Sequence, residues 1–251
     1  MTEKAPQASA GRVVELGPAL TGVCTALAIS LTLASLAWAA DLFRPLGLVL
    51  FNEQHIAIAL TLAMPLLYLT VPARKGPRTW VPWYDMVAAV LGALTSAYIA
   101  VRYPVLVDTM MEYPPDALIV SLIMFVLCLE GLRRTVGKAL VVVSLLLFGY
   151  AMVGHLVPGV LQTKEVTAQR LIIYLGLETS AMMGVPMLIV ATIVIGFVFF
   201  GQTLLKSGGS EFFNDLALAL MGRFRGGSAK ISIVASSFFG SISGIVVSNI
   251  M

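Results

Sequence analysis

Residues Leu20 to Ala40 contain no charged side chain. At about 1.5 Å per residue, such a run closed into a helix spans roughly 30 Å, the thickness of a bilayer's hydrocarbon core. Further apolar runs follow, separated by short charged or Pro-rich breaks: His55 to Val71, Met86 to Val101, Ala117 to Leu129, Ala139 to Leu156, Thr179 to Leu205 and Ile231 to Met251. With 59% hydrophobic and 12% charged residues, 251 residues carry too little polar surface to coat a soluble globule, so lipid must serve as the solvent. The run from Ala117 reaches spanning length only with Asp116 and Glu130 to Leu132 at its interfaces. The predicted fold is all-α: a polytopic membrane helix bundle of about six transmembrane helices, with interfacial amphipathic helices beside them.

Ala37, Trp38 and Ala39 imitate an Ala-x-Ala cleavage site. A signal peptide's apolar core is typically about 7 to 15 residues, however, and here a mixed-charge stretch precedes a much longer run. A retained first helix is therefore expected, with residues 1–18 as a cytoplasmic tail.

The distribution of charge sets an orientation. With the N-terminus in the cytoplasm, Lys4, Arg12, Arg74, Lys75, Arg78, Arg133, Arg134, Lys138, Lys206, Arg223, Arg225 and Lys230 lie inside, and only Arg44, Arg102, Lys164 and Arg170 lie outside. That asymmetry is the positive-inside pattern, so the basic residues require no nucleic-acid partner. Trp80, Trp83 and Tyr84 read as an interfacial aromatic belt. Cys24 and Cys128 fall within apolar runs, where a free thiol behaves as a small hydrophobe. His55 and His155 stand at the ends of runs without metal-ligand spacing, which points to interfacial hydrogen bonding.

Gln162 to Leu177 is amphipathic and is expected to lie along the outer interface. Gly184 and Pro186 divide the following run into a lead-in and a span. Ser210 to Phe224 reads as a short amphipathic helix, with Phe213, Leu216, Ala217, Leu220 and Met221 at spacings of three and four. Gly226 and Gly227 end it.

The final run is uncharged yet rich in small polar residues: Ser232, Ser236, Ser237, Gly240, Ser241, Ser243, Gly244, Ser248 and Asn249. Non-helical backbone at membrane depth is tolerated only where protein or a water-filled cavity surrounds it. A Gly-Ser-x-Ser-Gly centre at Gly240 to Gly244 is a place for a helix to unwind, and freed carbonyls with hydroxyls suit a hard cation such as sodium. The same glycines also form G-x-x-x-G, a close-packing motif, so a continuous helix in a non-transporting scaffold remains an alternative. An intramembrane serine hydrolase does not fit, because G-x-S-x-G needs a serine where Ile242 stands.

FVFFGQTLLKSGGSEFFNDLALALMGRFRGGSAK (Phe197 to Lys230), then VASSFFGSISG (Val234 to Gly244) and Asn249, resembles the large membrane subunit of the tripartite ATP-independent periplasmic (TRAP) transporters. Ahead of it, RYPVLVD (Arg102 to Asp108) and EGLRRTVGKAL (Glu130 to Leu140) resemble the small-subunit part of fused permeases. The resemblance implies a multi-pass bacterial inner-membrane permease, not an enzyme. It would couple sodium influx to import of an organic anion, such as a C4-dicarboxylate, handed over by a periplasmic solute-binding protein, with sodium as coupling ion and no other cofactor. It implies a small-subunit-like scaffold over 19–135 and the start of a large-subunit-like transport domain over 136–251. The final segment would open the first re-entrant hairpin, with Ser241, Ser243, Gly244 and Asn249 in a sodium site. Ile245 stands where the family has a small residue. The apolar ending at Met251 reads as a cut, with further large-subunit helices completing the site.

Overall fold

A computed structural model describes residues 17–45, 47–73, 80–159, 161–222 and 226–243. Most of the tail expected over 1–18 lies outside them, as do Arg74, Lys75, Arg78, Arg223, Phe224, Arg225, Gly244 and Asn249. Among the described residues the chain is helical and has no strand.

The apolar runs become helices, most of them extended past the run by polar residues at the ends. These are α1 (Pro18–Ala39), α2 (Asn52–Thr70), α3 (Trp83–Thr109), α4 (Pro115–Thr135) and α5 (Lys138–Val153). A short α6 (Ala168–Leu177) precedes α7 (Val185–Ile189) and α8 (Ile195–Leu204), which are joined by a π-helical turn over Val190–Val194. Gly184 caps α7 and Pro186 lies in its first turn, so the expected division of that run holds. α9 (Ser210–Met221) and α10 (Gly227–Ser243) complete the described chain.

Among the described residues, five helical segments are long and apolar enough to cross a membrane: Pro18–Ala39, Trp83–Glu112, Pro115–Thr135, Lys138–Leu156 and Val185–Gly209. α2 differs from them because its first turn, Asn52 to His55, is polar. It occupies the centre of the bundle and packs on α1, α3 and α7. Its polar turn is accommodated by specific partners: the Phe51 N–H donates to Gln54 Oε1 at 3.0 Å, and Gln54 Nε2 donates to the Ala100 carbonyl at 2.9 Å. One side chain thus caps α2 and ties it to α3.

His55 does more than the expected interfacial bonding. It is 1% exposed, its ring stacks on Trp38 of α1 at 4.4 Å and 7°, and its Nε2 lies 3.4 Å from the Ala191 carbonyl. That carbonyl belongs to the π-helical turn, whose wider spacing displaces carbonyls from regular bonding. The histidine therefore joins α1, α2 and the lead-in to α8.

α6 is covered by protein on its apolar face. Leu171, Ile173, Gly176 and Leu177 are buried, and the helix packs on α4. A Cβ on Gly176 would stand 2.6 Å from Ser121 Cβ and 2.8 Å from Ser121 Cα, so only glycine permits this approach. At the other extreme, α5 buries none of its residues, as befits a helix solvated by lipid on most sides.

Candidate functional site

The segment that carries the sequence argument begins at α8. A second π-helical turn, Leu205–Gly209, follows it, and Gly208 adopts φ 87°, a left-handed conformation that breaks the axis before α9. α9 and α10 then pack as a helical hairpin, with Ala217 and Ala235 buried and the Phe213 and Phe238 rings 5.8 Å apart. Small residues at that seam let the two helices close on each other.

α10 stays helical through Gly240, Ser241, Ile242 and Ser243. The unwinding expected from Gly240 onward is therefore absent over its first four residues, because a helical glycine in mid-run still makes its backbone bonds. Gly244 and Asn249 lie outside the described residues. Of the four expected ligands, Ser241 and Ser243 thus share the last turn of α10. One turn earlier, the Ser237 hydroxyl donates to the Ile233 carbonyl at 2.8 Å. Such back-bonding spends the proton and leaves the oxygen lone pairs free to accept or to meet a cation.

A second polar cluster lies where α2 ends, α3 begins and α4 ends. Asp85 is fully buried, and Arg134, whose side chain is 3% exposed, forms an ion pair with it, Nη2 lying 2.7 Å from Oδ1. Arg134 also donates from Nε to Glu130 Oε1 at 2.8 Å and from Nη1 to the Val71 carbonyl at 3.2 Å, and its guanidinium lies 4.8 Å above the Tyr68 ring. Tyr68 donates its hydroxyl to the Leu127 carbonyl at 2.6 Å. Arg133 grips Glu130 through Nε and Nη2, both at 2.7 Å, and reaches the Ala73 carbonyl at 3.3 Å. Burying two charges costs several kcal/mol each unless their partners are well placed, and here each guanidinium binds a carboxylate and a helix-end carbonyl. The cluster locks three helix ends together. Half of it is visible in the sequence, since Glu130, Arg133 and Arg134 have i,i+3 and i,i+4 spacing. Asp85, 49 residues before Arg134, has no local signal beyond an acid within an aromatic, apolar stretch.

Both regions are helical and apolar, with oxygen-rich small residues in one and paired charges in the other. A family model, "Tripartite ATP-independent periplasmic transporter, DctM component", matches residues 122–251. The chain belongs to that family. The DctM component is part of a transporter rather than an enzyme, and this TRAP membrane protein carries the match from the second turn of α4 through α10 and on to Met251. α1 to α3 precede the matched stretch; α2, the residues just after it and α3 supply the partners of its first helix: Tyr68 for the Leu127 carbonyl, Val71 and Ala73 for the two arginines, and Asp85 for Arg134. No curated protein and no solved structure matches the chain.

Proposed function

We propose that this TRAP permease couples sodium influx to the import of an organic anion, a C4-dicarboxylate or related carboxylate, delivered by a periplasmic solute-binding protein. Residues 19–135 act as a small-subunit-like scaffold, and residues 136–251 open the transport domain. The bacterial inner membrane is its location, with the basic end of α2–α4 and the N-terminus in the cytoplasm. Ser241, Ser243, Gly244 and Asn249 contribute oxygen ligands to a sodium site where α10 gives way to the following segment. The observation that carries this reading is the family match running through a helical hairpin into a Gly-Ser-x-Ser-Gly segment free of charge. Hydroxyls and carbonyls without a fixed carboxylate suit a monovalent ion that must leave again.

Uptake of a labelled C4-dicarboxylate into proteoliposomes holding the gene's complete product, with its purified binding protein, tests the assignment. A sodium gradient is expected to drive uptake, and Ser243→Ala and Asn249→Ala to raise the sodium concentration for half-maximal rate severalfold. Unaltered sodium dependence in both variants removes these residues from the site.

The helicity of Gly240 favours a second reading for that residue alone, as the first glycine of a packing seam. Cysteine substitutions from Gly240 to Asn249 separate the two. Labelling with a 3.6-residue period indicates a packed helix, and a continuous accessible patch indicates a re-entrant segment.

A further inference from the structure

A cavity of about 490 Å³ opens beside the charge cluster at the basic end, lined by Ala73, Tyr84, Glu130, Arg133 and Arg134. We propose that it holds the phosphodiester headgroup of an anionic phospholipid, with Arg133 and Tyr84 as its ligands.

Depth is the first argument. Trp80, Trp83 and Tyr84 are exposed at the start of α3, and amphipathic rings of this kind sit at headgroup level. A cavity lined by Tyr84 therefore opens where phosphates are, not in the hydrocarbon. Unused donors are the second. Arg133 spends Nε and Nη2 on Glu130 and the Ala73 carbonyl, while Nη1 bonds to no partner among the described residues. Its two N–H groups are held by the bidentate grip on Glu130, so a phosphate oxygen would be met by a preorganised donor. Tyr84 brings a phenol to the same cavity. Arg134, by contrast, is committed to Asp85, Glu130 and the Val71 carbonyl. Its role is to hold Glu130, and through it Arg133, in place.

Net charge selects the class of lipid. Among the described residues at this end, Arg133, Arg134 and Lys138 outnumber Asp85 and Glu130, and in the sequence the residues that follow Ala73 include the basic Arg74, Lys75 and Arg78. A basic pocket between membrane helices favours an anionic headgroup over a zwitterionic one.

The test is thermal unfolding of the full chain in detergent with added phosphatidylglycerol, phosphatidylethanolamine or inorganic phosphate, paired with native mass spectrometry of retained lipid. Phosphatidylglycerol is expected to raise the midpoint by several degrees, about twice the effect of phosphatidylethanolamine or more. Arg133→Ala is expected to weaken that lipid's half-saturating concentration about tenfold. Tyr84→Phe leaves the ion cluster intact and is expected to weaken it about threefold, which keeps the test informative if Arg133→Ala fails to fold. Equal protection by phosphatidylethanolamine overturns the anionic selectivity. Protection by inorganic phosphate matching that of phosphatidylglycerol overturns the lipid assignment. No change in lipid response in either folded variant overturns the site.

Discussion

The basic end of α2–α4 and the α9–α10 hairpin are both helical, both apolar and both punctuated by polar side chains, yet they satisfy those side chains in opposite ways. In the first, Arg134, Arg133 and Tyr68 bond across helices to groups 59 to 63 residues away in the chain where they meet backbone carbonyls. In the second, the Ser237 hydroxyl turns back on its own helix, four residues away. Cross-helix bonds fix geometry; local back-bonds leave a helix free to slide against its neighbour. The contrast is one between helices tied together by side chains and a hairpin in which Ser237 ties to its own helix. Large enclosed side chains are found in the scaffold, where Tyr68, Ile99, Leu106 and Met124 are fully buried.

The harshest way to break this contrast is to strip the scaffold of one charge. Arg134→Ala leaves Asp85 buried without its guanidinium, and unfolding in detergent should fall by about 3–5 kcal/mol. Asp85→Asn combined with Arg134→Gln should recover most of that loss. A single variant as stable as the parent would show that the pair locks nothing. Gly176→Ala tests the α4–α6 seam, where the new methyl meets Ser121 backbone at 2.8 Å. Overpacking of this kind costs about 1–3 kcal/mol, read from the same melting curves. Tyr68→Phe removes only the bond to the Leu127 carbonyl and should cost roughly 0.5–1.5 kcal/mol, with amide exchange rising in that turn of α4. Ser237→Ala should change stability by less than about 0.5 kcal/mol, since an exposed back-bonded hydroxyl contributes little. A large effect there would mean that the hairpin, too, is held by a cross-helix contact.

Much of the architecture was legible beforehand because a lipid solvent leaves the backbone few options. Charge-free runs had to close into helices, and the ends of α4 and α7 followed from Asp116, Glu130, Gly184 and Pro186. The character of Gln162 to Leu177 was also legible, but not that its apolar face would be taken up by α4 through Gly176 and Ser121. Amphipathicity states that one face needs cover and does not say whether lipid or protein provides it. At the candidate ion site the composition was plain while the point of unwinding was not. Glycine permits a break without requiring one, and α10 passes through Gly240 to Ser243 without it.

By itself, then, the sequence determined the solvent, the helices and the basic asymmetry of the loops, since each depends on residues adjacent along the chain. Only the tertiary structure decided that Asp85 answers Arg134, that His55 joins Trp38 to the Ala191 carbonyl, and that α2 occupies the middle of the bundle. These are pairings between residues far apart in the chain. A local pattern records that a buried charge or ring needs a partner, and packing alone selects which one it meets.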